Sequence, residues 1–122
     1  MMFKVMMLRH DERDGYAEFV FKVIGPLGFT FHIVDRYSSM RSYYKMLIKN
    51  LDDSASAKLK ALPAFPKKKM FNALDQKFLN NRMTQLGLFL NAWFAIPAVA
   101  HDKLTLTWFT SKAADQDSQD KI

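Results

Sequence analysis

The apolar and polar residues in the first third of the chain alternate as β-strands require. Residues 3–8 are largely apolar and make a candidate first strand. Residues 16–24 and 29–34 each show the period of two that is typical of a half-buried strand. The glycines and the proline of residues 25–28 mark a turn between these two runs. The pattern predicts a three-stranded antiparallel meander with an aromatic face.

From residue 37 onward the apolar residues recur at helical spacing. The first helical stripe consists of Met40, Tyr43, Tyr44, Leu47 and Leu51. Ser38 or Ser39 is its candidate N-cap, and Asp75 is the candidate cap of a second helix. The stripe of that second helix consists of Phe78, Leu79, Met83, Leu86, Phe89, Leu90 and Trp93. Pro97 ends or kinks this second helix. Residues 103–109 predict a short last helix, although their Leu-Thr-Leu-Thr equally fits a strand.

Two segments lack a regular period. Residues 58–72 contain two prolines that interrupt a helix, and an irregular connection of this length is often functional. Residues 111–122 are polar and rich in aspartate, which predicts a disordered tail after a single domain over residues 2–110. Three strands followed by helices indicate an α+β fold. We expect the antiparallel β-meander to pack against three to four helices, with the proline-rich loop between the first two main helices.

Composition narrows the class of protein. The chain has 122 residues, 49% of them hydrophobic, and no cysteine, which excludes a disulfide framework, a thiolate metal site and a thiol nucleophile. Its formal net charge of +6 favours an anionic partner, either nucleic acid or the cytoplasmic leaflet of a membrane. The longest apolar stretch, residues 86–100, is shorter than the ~20 residues that a spanning helix needs. We therefore expect a soluble, cytoplasmic chain whose contact with a membrane is peripheral.

Enzymatic activity, a cofactor and a bound metal are not expected. The histidines fall in different predicted elements, and no glycine-rich phosphate loop or nucleophile motif is present. The acidic residues Asp11, Glu12 and Asp14 fall in a predicted hairpin loop. A solvated turn explains them more simply than a metal site does.

Four residues from three separate parts of the sequence have the chemistry for binding a phosphorylated sugar ring: Arg36, Tyr37, Lys68 and Arg82. Arg36 follows the third strand at a helix start, where free backbone amides favour anions. Arg82 lies beside an apolar stripe, where a cation must either snorkel to solvent or meet an anion. Taken singly, each residue equally fits an ordinary structural role. Together, the cations would neutralise phosphates and the aromatic face would support a ring.

Three short motifs occur in an order that resembles the phox-homology (PX) domain of sorting-nexin-like proteins. They read RYSSM at residues 36–40, LPAFPKK at residues 62–68 and RMTQL at residues 82–86, after the predicted meander. The resemblance covers roughly residues 2–110. It implies a non-catalytic membrane-targeting module that binds phosphoinositide head groups, above all phosphatidylinositol 3-phosphate. It also implies recruitment to endosomal membranes as a peripheral protein.

The resemblance also assigns roles to residues. It implies that Arg36 grips the 3-phosphate, Tyr37 supports the inositol ring, Lys68 meets the 1-phosphate and Arg82 hydrogen-bonds the 4- and 5-hydroxyls. The loop after the lysine dips into the bilayer in this family. The residues that would contact the membrane here are Lys67, Lys69, Met70, Phe71 and Leu74. An alternative interpretation packs Phe71 and Leu74 back onto the helix.

The chain departs from the family pattern at Asp35, where a basic residue is usual, and at Met40, where an aromatic residue is common. A carboxylate at position 35 would either orient Arg36 or compete with the phosphate for it. Two other functions stay open at this point. One is a protein-interaction domain with a vestigial lipid pocket, whose proline-rich loop or sheet edge binds a partner. The other is a basic nucleic-acid module, which is disfavoured because the cations concentrate at the motif positions.

Overall fold

The structure is a computed structural model that describes residues 3–59, 62, 64–68 and 74–113. Its first part is one antiparallel sheet in the order β1-β2-β3, formed by β1 (Lys4–Arg13), β2 (Tyr16–Ile24) and β3 (Thr30–Arg36). The helices that follow are α1 (Tyr37–Asn50), α2 (Asp53–Leu59), α3 (Gln76–Phe94), α4 (Pro97–Ala100) and α5 (Lys103–Lys112). The predicted α+β class, a three-stranded meander followed by helices, is confirmed. The short α2 and α4 escape prediction because they are too short to show an apolar stripe.

The first hairpin is longer than the sequence pattern predicts. Pairing with β2 continues through Asp11 and Glu12 to Arg13, which lies opposite Tyr16. The prediction that these acidic residues lie in a loop is therefore wrong for Asp11 and Glu12, because cross-strand pairing continues past the apolar segment. The turn itself is Asp14-Gly15, and both residues have positive φ, 38° and 88°. This is the conformation that a tight two-residue hairpin requires, and glycine adopts it without a Cβ clash.

The core lies between one face of the sheet and the helices α1, α3 and α5. Its largest fully buried side chains are Trp93, Phe19, Phe21, Phe94 and Phe109. Much of the predicted stripe of α3 is buried as expected, whereas Phe78 and Met83 are only partly buried. No helix within the described residues is long and apolar enough to cross a bilayer.

Helix α3 lies along the outer edge of β1, and hydrogen bonds join the two elements. The amide of Asn91 accepts the backbone N–H of Val5 at 2.7 Å and donates to the Val5 carbonyl at 3.0 Å. Further along, His10 and Asn80 are joined by a hydrogen bond of 2.8 Å. The two Asn91 contacts satisfy backbone groups that an edge strand would leave unpaired. The contact between His10 and Asn80 places the N-terminal half of α3 beside the β1–β2 turn.

Helix α5 is longer than predicted and closes the opposite edge of the sheet. It is helical through Lys112, so the Leu-Thr-Leu-Thr segment is helix and not strand. Ala113 then forms an isolated antiparallel bridge with Ile33 of β3. The predicted tail of residues 111–122 thus begins inside this helix. Residues 114–122 lie outside the described part, and their disorder stays a prediction.

Candidate functional site

An open cleft lies at the end of the sheet that carries the β1–β2 turn. It has a volume of ≈ 370 Å³ and is bordered by β2, β3, α1 and α3. All four residues of the predicted site line this cleft: Arg36, Tyr37, Lys68 and Arg82. The lining contains four cations, because Arg41 joins the three predicted ones, and no carboxylate. Elsewhere in the described residues, no cluster of three or more histidine, aspartate or glutamate side chains could hold a metal ion.

Arg36 stands at the junction of β3 and α1, at the rim of the cleft. It is the N-cap residue of α1, with extended φ and ψ of −99° and 160°. The prediction of Ser38 or Ser39 as N-cap is wrong, because the helix begins at Tyr37 and has no side-chain cap. The exposed guanidinium lies 5.1 Å from the centre of the Tyr16 ring, a cation–π contact. No carboxylate of the described residues pairs with it, so this cation is available to an anion at a helix N-terminus.

Asp35 does not line the cleft. It is only 3% exposed, and one carboxylate oxygen accepts the indole N–H of Trp108 at 2.7 Å. The other oxygen accepts the backbone N–H of Arg36 at 2.9 Å and lies 3.6 Å from the Lys112 ammonium. Asp35 therefore orients the backbone at Arg36 and is engaged in the core. The described side chains show no ion pair between Asp35 and the Arg36 guanidinium.

Tyr37 connects α1 to the proline-rich segment. Its hydroxyl donates to the Pro66 carbonyl, and its ring stacks on Phe65 with centroids 5.6 Å apart. Burial raises the pKa of Tyr37 above its ordinary value, although the nearby Arg82 and Arg41 act in the opposite direction. The hydroxyl is therefore protonated at neutral pH and can serve as a donor.

Arg82 is buried instead of snorkelling to solvent. Only 6% of the residue is exposed, and its guanidinium centre lies 3.8 Å from the Tyr37 ring centre and 4.5 Å from that of Phe78. One terminal nitrogen donates to the Lys67 carbonyl, whereas the buried Nε has no hydrogen-bond partner. Desolvation lowers the pKa of Arg82, partly offset by Tyr37, but an arginine side chain stays charged at neutral pH. A buried charge with an unpaired donor is unusual and suits a polar ligand in the cleft.

The proline-rich segment is held by the site residues themselves. Tyr37 binds the carbonyl of Pro66 and Arg82 binds that of Lys67, while the Lys67 and Lys68 side chains remain exposed. Leu74 is half-buried and also lines the cleft. The other residues predicted to contact the membrane lie outside the described part, so their role stays a prediction: Lys69, Met70 and Phe71.

Arg41 and Tyr16 are among the lining residues that the sequence did not identify as part of the site. Arg41 follows Tyr37 by four positions, and residues so spaced on a helix lie on the same face. That spacing is a signal from which Arg41 could have been found. Tyr16 has no such signal, because its contact with Arg36 depends on the pairing of β2 with β3.

Comparison with known proteins gives a family and a fold. The profile of the family described as "PX domain" matches residues 26–112, which is most of the chain. Among solved structures, the one described as "X-ray structure of a designed CISK-PX domain" is similar, with a TM-score of 0.65 at 21% sequence identity. The match covers 87% of this chain and 97% of that one. At this identity the likeness concerns the fold alone. A search of curated proteins found no match.

Proposed function

The chain belongs to the PX domain family, a family of phosphoinositide-binding membrane-targeting modules, and from this premise we propose that its cleft binds phosphatidylinositol 3-phosphate. In this proposal the domain is non-catalytic and recruits its protein to endosomal membranes as a peripheral component. One observation carries the proposal. It is the buried Arg82 with a free Nε donor, in a cleft whose cations face no carboxylate.

The two phosphates of the head group match the two exposed cations. Arg36 receives the 3-phosphate, because its planar guanidinium can bind two phosphate oxygens and the N-terminus of α1 adds positive potential. Lys68 receives the 1-phosphate, since it approaches the cleft from the segment on the other side. Tyr37 forms the wall between them and supports the inositol ring. The Pro66 and Arg82 contacts of Tyr37 keep that wall in place.

Arg82 binds the neutral side of the inositol ring. Its guanidinium is already held by two aromatic rings and a backbone carbonyl, so it is oriented before a ligand arrives. Arg82 would hydrogen-bond the 4- and 5-hydroxyls, and its Nε–H, which is left unpaired in the free protein, would donate to one of them. A hydrogen bond involving a charged group contributes about 1.5–3 kcal/mol.

Membrane contact beside the head group strengthens this binding. We assign it to the lysines Lys67 and Lys69 and to the apolar residues Met70, Phe71 and Leu74. Each lysine near an anionic leaflet contributes about 1 kcal/mol. Full insertion of a phenylalanine side chain contributes about 1.5–3 kcal/mol. A polyproline-type partner fits the same segment poorly, because Pro66 is buried and Phe65 is stacked on Tyr37.

Co-sedimentation with vesicles that each contain one phosphoinositide in phosphatidylcholine tests the proposal. We expect preferential binding to the 3-phosphorylated lipid and a loss of at least about tenfold in Arg36→Ala, since a charged contact contributes upwards of about 1.5 kcal/mol. Arg9→Ala removes the same charge from an exposed residue that lines no described cleft, and should bind normally. Equal binding to all anionic lipids, or an unaffected Arg36→Ala that remains folded, would contradict the proposal.

The role of Arg82 can be observed directly with a soluble short-chain phosphatidylinositol 3-phosphate. We expect the Nε–H resonance of Arg82 to shift on titration, because this donor gains an acceptor. The Nε–H resonance of Arg9, which already donates to Asp11 at 3.1 Å, serves as the internal control and should not move. An Arg82 resonance that stays in place at saturation would exclude the assigned hydroxyl contact.

A further inference from the structure

The pairing of the three strands places a carboxylate directly across from Arg36. Glu18 of β2 lies opposite Arg36 of β3, and on its other side Glu18 lies opposite Asp11 of β1. Directly opposite residues of neighbouring antiparallel strands point to the same face of the sheet, with Cβ atoms about 4.5–5.5 Å apart. Opposite charges in such positions attract each other. An ion pair between Glu18 and Arg36 would therefore compete with any phosphate for the arginine.

Arg36 does not pair with this neighbour. Its guanidinium centre lies 5.1 Å from the ring centre of Tyr16, which precedes Glu18 by two positions and so lies on the same face of β2. The Glu18 carboxylate accepts a hydrogen bond from the Nε of Arg13 at 3.2 Å instead. Among the ion pairs of the described residues, none involves Arg36.

The two arginines thus make crossed contacts on β2. Arg13 lies opposite Tyr16 but pairs with Glu18. Arg36 lies opposite Glu18 but contacts Tyr16. Both contacts are diagonal across neighbouring strands, a separation that long side chains can span. The exchanged arrangement, in which each arginine contacts the residue directly opposite, would use the same strand register and would neutralise Arg36.

We propose that Arg13 is a positioning residue of the anion site, because its ion pair with Glu18 keeps that carboxylate away from Arg36. The inference rests on the proposed function, in which Arg36 receives the 3-phosphate. The Tyr16 ring contributes by attracting the face of the Arg36 guanidinium, which leaves the N–H donors at its edge available to phosphate oxygens. Without Arg13, the nearest exchange partner of Glu18 in the strand register is Arg36 itself.

A double-mutant cycle on vesicles of phosphatidylcholine and phosphatidylinositol 3-phosphate tests this role. We expect Arg13→Gln to bind about three- to fivefold more weakly, the factor by which one exposed ion pair between Glu18 and Arg36 would oppose the phosphate. Arg13→Gln/Glu18→Gln should regain most of the affinity of the wild type, because the competing carboxylate is then absent. Arg13→Lys should bind nearly as well as the wild type, since an ammonium can still engage Glu18.

Arg9→Gln is the matched control. Arg9 pairs with Asp11 at 3.1 Å, and its side chain is exposed to nearly the same extent as that of Arg13, 55% against 59%. This variant therefore also removes one positive charge and releases one carboxylate. The released carboxylate lies opposite Glu18 and not opposite Arg36. We expect Arg9→Gln to bind like the wild type.

The Nε–H resonance of Arg36 measures the competing ion pair without any lipid. In free Arg13→Gln we expect this resonance to shift from its position in the wild type, because the guanidinium gains a carboxylate acceptor. It should return in Arg13→Gln/Glu18→Gln. This measurement separates two failures. If Arg36→Ala binds vesicles as the wild type does, the proposed function fails, and the resonance still decides whether Arg13 controls the partner of Arg36.

The inference is overturned if Arg13→Gln binds vesicles as tightly as Arg9→Gln does. It is also overturned if the double variant stays as weak as Arg13→Gln, since Arg13 would then act by touching the lipid or by supporting the hairpin. An Arg36 resonance that is the same in the wild type and in Arg13→Gln would exclude the competing ion pair.

Discussion

Replacing Asp35 by alanine should weaken the fold substantially, because this buried carboxylate joins β3, α1 and α5. It is 3% exposed and accepts from Trp108 at 2.7 Å and from the backbone of Arg36 at 2.9 Å. Trp108 is itself 5% exposed, so the indole N–H has little access to solvent. The variant therefore leaves an indole N–H buried and unpaired.

The size of the effect follows from these contacts. An unsatisfied buried donor costs about 1–3 kcal/mol. The Lys112 ammonium, at 3.6 Å and with its side chain 38% exposed, adds at most about 1 kcal/mol because solvent screens it. Removing a buried charge recovers part of the total, since its desolvation is no longer required. We expect the free energy of unfolding to fall by about 2–3 kcal/mol, which lowers the melting temperature by roughly 10 °C.

Urea denaturation of a double-mutant cycle with Trp108→Phe isolates the bond between carboxylate and indole. We expect a coupling energy of about 1–2 kcal/mol. Lys112→Ala is the control and should cost less than about 1 kcal/mol. If Asp35→Ala has the same urea midpoint as the wild type, or if the coupling energy is near zero, the reasoning is refuted.

A second variant of Asp35 distinguishes the two effects that the sequence left open, namely orientation of Arg36 and competition with the phosphate for it. If the carboxylate competed with the lipid phosphate, Asp35→Asn would bind phosphatidylinositol 3-phosphate more tightly. The geometry predicts no gain in affinity, because the carboxylate is engaged by Trp108 and the backbone of Arg36. Vesicle titration of Asp35→Asn beside the wild type measures this. A clear gain would show that Asp35 does restrain Arg36 against its ligand.

Three further predictions concern Tyr43, Arg82 and Leu27. Burial raises the pKa of Tyr43 to about 12, so its contribution to stability is complete below the unfolded pKa of about 10 and is lost as the pH rises from there towards 12. Tyr43→Phe should remove this alkaline loss, of order 2–3 kcal/mol, from the free energy of unfolding measured by urea denaturation across that range; an unchanged pH profile would contradict it. Arg82→Met should abolish head-group binding and leave the free energy of unfolding equal or higher, because it removes a buried charge without a carboxylate partner. A fall in the free energy of unfolding beyond about 2 kcal/mol would refute this. Leu27 is 97% exposed with φ of 63°, so Leu27→Asn should raise the free energy of unfolding by about 0.5–1 kcal/mol in urea denaturation, and a lower value would argue against the strain.

The local pattern of the chain was enough to predict its main elements. Strand alternation in residues 16–24, the N-cap at Asp75 and the apolar stripe of α3 all appear in the structure, because each depends on neighbours within a few residues. The short helices α2 and α4 and the extension of β1 were missed. The extension of β1 depends on pairing with β2, and α2 and α4 are too short to show an apolar stripe.

The sequence by itself also determined which residue types could form an anion site, since Arg36, Tyr37, Lys68 and Arg82 are recognisable from their motifs. Only the tertiary structure decided what surrounds these residues and their neighbour Asp35. In it, Arg82 is buried between two aromatic rings, and the side chain of Asp35 lies in the core beside Trp108. The physical reason is that burial, pairing and desolvation belong to the surroundings of a side chain. Those surroundings are supplied by elements that lie far away in sequence.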